Sequence, residues 1–296
     1  MFYTHTLVVV ACGLAATLSG GAAQAASEAP EALESPESVA PAPLVANLGL
    51  FSSYRFRGLD QSFGRPAVQG GFDYTHPSGL YAGNWNSNVS SGAGYPEGSL
   101  EMDFYAGYRH QLGDVGLDVG ALYYAYPGSR LDHAYAGVNR RHPGGASSGN
   151  VDNGEVYVAA TWNAITLKYS HAVTDYFAMP GTRGTGYLDL SASRDLGDGY
   201  SLGLHVGRLL MRDFAYLNAD GSTYDGRYTD WRIGITRDMS GWVLGVAYVG
   251  TTAQGRCANG EFYCFSSSMA SDGTGNGSRS RDAGRGTAVL SLSRSF

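Results

Sequence analysis

The stretch Leu100-Glu-Met-Asp-Phe-Tyr-Ala-Gly-Tyr-Arg109 alternates without a break. Leu100, Met102, Phe104, Ala106 and Tyr108 fall on one side of an extended chain. Glu101, Asp103, Tyr105, Gly107 and Arg109 fall on the other. Successive strand side chains point to opposite faces, so this segment has one dry and one wet surface. At helical spacing the same residues make no stripe. The pattern recurs at 185–196, where Leu188, Leu190 and Ala192 oppose Tyr187, Asp189 and Ser191. It recurs again at 200–207 and at 228–237, with Trp231, Ile233 and Ile235 against Asp230, Arg232 and Gly234.

Working outward, the spacing predicts twelve strands: 44–58, 67–76, 80–89, 100–112, 115–126, 153–163, 165–174, 185–196, 200–212, 228–237, 242–251 and 286–296. Five connections are short and built of turn residues: His76-Pro-Ser-Gly79, Gly113-Asp114, Asn163-Ala164, Gly197-Asp-Gly199 and Met239-Ser-Gly241. They alternate with longer ones, of which 127–152 and 252–285 are the longest. A soluble sandwich also has one apolar face, so alternation alone does not say which face is inside. The parity does. An even strand count with short turns at one end and long loops at the other is the plan of a transmembrane barrel. The expected fold is therefore all-β, a transmembrane antiparallel β-barrel of about 12 strands with short periplasmic turns and long extracellular loops.

Composition agrees. Of 296 residues 43 are Gly, 21 are Tyr and only 16% are charged. Lys168 is the single lysine and the formal charge is −6, which excludes a nucleic-acid binder driven by a basic surface. Residues 1–25 carry no Asp, Glu, Lys or Arg and run from an apolar stretch into Ala23-Gln-Ala25, the form of a signal peptide. Cys12 lies within that stretch rather than after it, against a lipid anchor. Residues 26–43 hold Glu28, Glu31, Glu34 and Glu37 among Pro and Ala, and read as an acidic linker. That leaves 44–296 as the barrel, with no apolar run long enough for a helical span. Aromatics near strand ends, namely Tyr54, Phe56, Phe72, Tyr74, Tyr81, Trp85, Tyr108, Tyr123, Trp162, Tyr169, Trp231, Trp242 and Tyr248, are expected on the apolar face as girdles. The terminal Phe296, on one face with Leu290 and Leu292, resembles an outer-membrane assembly signal, although Arg294 stands where an apolar residue is usual.

Asn47-Leu-Gly-Leu-Phe-Ser-Ser-Tyr-Arg-Phe-Arg-Gly58, Gln61-Ser62, Pro66-Ala-Val-Gln-Gly-Gly-Phe-Asp-Tyr74, Gly79-Leu-Tyr-Ala-Gly-Asn-Trp-Asn-Ser-Asn-Val89 and Glu101-Met-Asp-Phe-Tyr-Ala-Gly-Tyr108 together carry a resemblance. Over 47–108 the chain resembles the TorF family of porins, proteobacterial outer-membrane proteins also described as Gcw_chp proteins of unknown function. The resemblance implies a porin-like barrel in the outer membrane of a Gram-negative bacterium. It implies no particular substrate. Asn86 stands where a small residue is expected, and the long loop 252–285 looks particular to this sequence.

Parity puts Arg55, Arg57, Asp73, Glu101, Asp103, Arg109, Asp118, Glu155, Lys168, Asp189, Asp230 and Arg232 inside. Unpaired charges in a dry lumen are costly, so the lumen holds water or the charges pair. Strand direction places Arg55, Arg57, Glu101, Asp103, Glu155 and Asp230 near the external mouth, and Arg109, Asp118 and Lys168 toward the periplasm. Arg55 and Arg57 facing a carboxylate cluster would set a field on passing ions. A salt-bridge network holding the barrel round is the alternative, and the two are compatible. Inward glycines, among them Gly83, Gly107, Gly120 and Gly207, either leave room in the lumen or relieve strand curvature.

Other chemistry is thin. The seven histidines show no metal-ligand spacing, and the Gly-x-Gly run at 181–186 lies in a loop, so no cofactor or metal is expected. Cys257 and Cys264 flank an Asn-Gly turn and read as a local disulfide. The expected function is a porin-like passive channel for small polar solutes or ions. Its partners would be outer-membrane lipid, the barrel assembly machinery and the solutes themselves. A surface-binding or adhesin barrel is the first rival. An outer-membrane lipid hydrolase is the second, suggested by His171 and Arg208, which break the apolar alternation. Ser170 and His171 are adjacent on a strand, so they point apart and cannot form a catalytic pair with each other.

Overall fold

The computed structural model describes residues 43–296. The expected signal peptide and all of the linker except Pro43 lie outside the described residues. Twelve strands close into one antiparallel barrel: β1 Leu44–Phe51, β2 Ala67–Thr75, β3 Leu80–Asn88, β4 Leu100–Leu112, β5 Val115–Ala125, β6 Asn153–Trp162, β7 Ile165–Ala172, β8 Gly186–Gly197, β9 Tyr200–Leu210, β10 Tyr228–Met239, β11 Trp242–Thr251 and β12 Thr287–Ser295. Each strand pairs with the next, and β12 returns to β1 through Leu50 opposite Leu292. Closure leaves no free edge of unpaired backbone groups. The short connections all fall at one end. Asp198-Gly199 and Ser240-Gly241 turn there with both residues at positive φ, matching the right-handed twist of the strands they join. The long connections fall at the other end. Four of them carry small hairpins, the first pairing Arg55–Phe56 with Leu59–Asp60 and the last pairing Cys264–Ser266 with Ser280–Asp282.

The outer wall is apolar. Leu48, Leu50, Val68, Val158, Leu167, Leu190, Ile233, Leu244 and Val246 are all exposed there. A belt of this extent needs a nonaqueous surrounding. Among the described residues no helix is long and apolar enough to cross a membrane. The inner positions of the same strands mix polar and charged residues, glycines and alanines with aromatics and a few aliphatics such as Leu122 and Val249.

Two expectations need correction. The first strand ends at Phe51, not at residue 58. Beyond it the Tyr54 amide donates to Ser62 Oγ, and Arg57 (φ 46°) and Gly58 (φ 79°) reverse the chain. The segment leaves the wall and folds into the lumen, which buries Tyr54 (1% exposed) and Phe56. The girdle also loses Tyr81 and Trp85, which are buried inside. They share strand parity with Gly83 and Ser87, so the inward register of β3 takes them with it. The other nine aromatics of that set lie exposed on the outer wall, Phe72, Trp162 and Tyr248 at half exposure or more.

The inward glycines have a definite role. Tyr81 lies opposite Gly107, Tyr105 opposite Gly83 and Tyr157 opposite Gly120 in the ladder. A Cβ on Gly107 would stand 2.3 Å from the Tyr81 hydroxyl, and one on Gly83 would stand 2.4 Å from the Tyr105 ring. The missing side chains make beds in which tyrosine rings lie along the inner wall.

Candidate functional site

The site is the lumen, and tyrosines organise its charges. Toward the short-turn end, Asp118 accepts from Tyr81 Oη at 2.6 Å and pairs with Arg109 Nε at 3.3 Å. The Arg109 guanidinium lies 4.0 Å from the centre of the Tyr81 ring, and Lys168 Nζ lies 3.9 Å from that of Tyr157. The Tyr81 and Tyr157 hydroxyls are themselves hydrogen-bonded. Cation and ring at these distances attract through the ring quadrupole. On the adjoining wall Asp73 accepts from Tyr105 Oη at 2.5 Å and from Asn47 Nδ2 at 3.2 Å.

A second group sits on β8, β9 and β10. His205 bridges Asp189 (3.3 Å, from Nδ1) and Asp230 (2.9 Å, from Nε2). Tyr187 Oη donates to Asp230 at 2.9 Å, and Ser191 Oγ to Asp189 at 2.5 Å. Arg232, next to His205 in the ladder, has no carboxylate within 4.0 Å among the described residues.

The third group is at the long-loop end. Arg57 does not line the wall. It reaches from the folded-in hairpin across the lumen to Glu155 on β6, with Nη2 2.7 Å from Oε2. Its Nη1 donates to Tyr176 Oη at 3.0 Å, and its guanidinium lies 4.2 Å from the centre of the Tyr187 ring. Burial pushes the Tyr176 phenol up to about 12, so it stays protonated beside the arginine. Phe56 packs edge-on against Tyr124 and Phe177. A Cβ on Gly58, at the hairpin tip, would stand 2.3 Å from Thr251 and 2.7 Å from Asp230. The hairpin thus touches β5, β6, β8, β10 and β11. Around the closed ladder β6 and β8 each lie five strands from β1, which carries the hairpin, one in each direction.

Arg55 is a further correction. It lies in the hairpin rather than on the wall, and its Nη1 donates to the carbonyls of Ala283 (3.1 Å) and Arg285 (3.2 Å) in the last loop. Asp60 holds this corner through Arg55 at 3.9 Å and Arg281 at 3.3 Å. The expected field of two arginines facing four carboxylates is therefore not present. Arg57 takes Glu155, and Arg55 takes Asp60. Glu101 is met by Tyr54 Oη at 3.1 Å. Glu101 Oε2 and Asp103 Oδ1 are buried without a hydrogen bond.

Sequence reasoning missed Asp60, Tyr54, Tyr81, Tyr157, Tyr187 and His205. Four of these share strand parity with charged or glycine positions, which was the available signal. Asp60 and Tyr54 had none, because they depend on the chain leaving the wall. At the remaining positions, a disulfide joins Cys257 and Cys264 in the last loop. Phe296 is exposed at the short-turn rim, where the Arg294 guanidinium lies 5.2 and 5.4 Å from the ring centres of Trp242 and Phe296. Ser170 is buried in the lumen. His171 is on the outer wall beside Tyr169, so the two residues point apart.

Among solved structures the chain is similar to the KdgM porin, with 8% identity, TM-score 0.45, and 86% of this chain and 98% of that one covered. It is also similar to the NanC porin (10%, TM-score 0.47, 86% and 98%). A third is the toluene transporter TodX of P. putida (13%, TM-score 0.40, 87% and 91%). No curated protein matches the sequence significantly. Residues 35–271 match the family described as "Bacterial protein of unknown function (Gcw_chp)". With most of its length in that match and a closed twelve-stranded barrel, the chain belongs to the Gcw_chp family.

Proposed function

We propose that the protein is a passive channel of a Gram-negative outer membrane, a porin of the TorF kind, for small polar solutes or ions. The observation that carries this reading is the charged inner wall. Arg109, Asp118 and Lys168 lie toward one end, Asp189 and His205 between, and Glu101, Asp103, Glu155 and Arg57 toward the other. An apolar belt surrounds them. Glu101 and Asp103 are buried on this wall, with Tyr54 Oη donating to Glu101 at 3.1 Å. In this reading the short turns face the periplasm and the long loops face outward. The inward hairpin at Arg55–Asp60 narrows the external mouth. Outer-membrane lipid covers the belt, and the assembly machinery reads the last strand with Phe296.

Purified protein in a planar bilayer tests this. Discrete conductance steps, exclusion of larger neutral solutes and a reversal potential slightly favouring cations are expected. Strong anion preference would sink the proposed selectivity. The packed mouth favours a second reading, a non-conducting surface-binding barrel. Silence, both in the wild type and in a variant with the hairpin released, supports that reading. Lipid hydrolysis in the same preparation would instead support the enzyme.

A further inference from the structure

His171 and Arg208 break the apolar alternation of the outer wall, and a channel has no use for them there. Both side chains are on the outer face near the long-loop end. His171 is opposite Gly186, and Gly186 is opposite Leu210. Arg208 is two residues before Leu210 on that face, and Arg212 two residues after it. Arg212 and His171 meet around a glycine, and Arg208 lies further along the same face. A Cβ on Gly184 would stand 3.1 Å from Arg212 Cδ, 3.3 Å from Arg212 Nη1 and 3.6 Å from His171 Cε1. Gly184, at φ 89°, therefore floors a shallow basin walled by an arginine and an imidazole. Beside it Arg208 Nη1 donates to Thr229 Oγ1 at 3.0 Å, which fixes the guanidinium along the wall.

The two arginines have no counter-charge on the protein among the described residues. Among the described residues no carboxylate lies within 4.0 Å of Arg208, Arg212 or His171. The nearby acids are engaged elsewhere. Asp175 accepts from the Arg183 amide at 3.0 Å, and Asp225 pairs with Arg227 at 3.7 Å. Asp213 lines a separate polar cleft with Arg141 and Arg227. Cationic side chains on a lipid-facing wall are tolerated at the interface and costly at mid-depth. Two unpaired arginines at the rim, next to Tyr169 and Trp231, fit an interface that supplies anions.

We propose that this basin binds a phosphate group of an outer-leaflet glycolipid, the Arg212 guanidinium forking onto its oxygens with His171 beside it and Arg208 adding positive charge further along the same face. Phosphate on a membrane lipid fits better than free phosphate, because Leu188, Leu210 and Trp231 on the same wall offer apolar contact to acyl chains. Planar, bidentate donors suit phosphate oxygens. The proposal rests on the outer-membrane reading with the long loops outward, but not on whether the lumen conducts.

The test is native mass spectrometry of the full chain in detergent, titrated with bisphosphorylated lipid A. Retained lipid on the wild type is expected, with binding weakened about tenfold or more by Arg208→Gln with Arg212→Gln. Arg65→Gln with Arg130→Gln, which removes equal charge from two other loops, leaves it unchanged. Dephosphorylated lipid A binds the wild type as poorly as the double variant binds the phosphorylated lipid. Arg208→Lys with Arg212→Lys keeps the charge, loses the fork and falls between. Equal binding of the two lipids by the wild type overturns the proposal without any variant. So does wild-type affinity in a double Gln variant that still migrates as a folded barrel, or displacement of the lipid by an equal concentration of inorganic phosphate.

Discussion

Replacing Arg57 by Met should undock the hairpin from the lumen while leaving the barrel wall intact. The side chain is buried, holds Glu155 at 2.7 Å and Tyr176 at 3.0 Å, and lies 4.2 Å from the centre of the Tyr187 ring. Removing one partner of a buried pair costs about 3–5 kcal/mol, because the other charge is left uncompensated. Glu155 belongs to β6, which stays in the ladder whether or not the hairpin is docked. The loss therefore falls on docking rather than on global unfolding. At 1.36 kcal/mol per tenfold, it shifts the docked-to-undocked ratio by about 150- to 5,000-fold. Single-channel recording reads this as open probability and step size. The Arg57→Met variant should open more often and to a larger step, at an unchanged unfolding midpoint. A second substitution makes the reasoning sharper. Arg57→Met with Glu155→Met removes both charges, so docking should recover toward the wild type, since an apolar replacement of a buried pair is often neutral. If the single variant conducts like the wild type, or if the double variant opens at least as far as the single one, the hairpin is not held by this pair.

Gly107→Ala should cost about 1–3 kcal/mol in urea unfolding from detergent, because its Cβ would stand 2.3 Å from the Tyr81 hydroxyl. Gly144→Ala, with open space around its Cβ and no positive φ, should leave the midpoint nearly unchanged; if both variants unfold alike, the tyrosine beds are not what the inner glycines provide. Leu190→Arg, on the outer wall, should destabilise the barrel by up to about 2–4 kcal/mol, and a fully unchanged midpoint would place that wall in water. Cys257→Ser should speed proteolysis of the last loop and leave the barrel midpoint within about 0.5 kcal/mol, since the disulfide closes a short loop outside the wall.

The wall was legible because period two is a local property. Glu101, Asp103, Tyr105, Gly107 and Arg109 share one side of β4 in any extended chain, whatever surrounds it. The turn residues then set the alternation of short and long connections, and closure follows from that parity. The pairings inside the lumen were not legible in the same way. Arg109 meets Asp118 across adjacent strands, and register reads that from the turn at Gly113-Asp114. Arg57 meets Glu155 across the barrel, and nothing local encodes such a contact.

The hairpin shows why parity failed at one place. Tyr54, Arg55, Phe56 and Arg57 alternate as well as any strand in the chain, with aromatics on one side and cations on the other. In a wall, that pattern would send the aromatics to lipid and the arginines to the lumen. In the fold both kinds are buried together, because the reversal at Arg57 and Gly58 carries the whole segment inside. Aromatic rings then find aromatic partners in Tyr124 and Phe177, and the cations find Glu155 and Asp60. Alternation reports which residues share a side. It does not report which side faces lipid once the chain has left the ladder. The nearest signal lay one step further along, in Gly58-Leu-Asp-Gln-Ser62, a turn glycine and a mostly polar run around the single Leu59 that does not continue the alternation. Such a run after an alternating segment marks where a barrel chain turns into its own lumen. On the proposed channel reading, that places the residues most able to control passage in the first loop rather than on the wall.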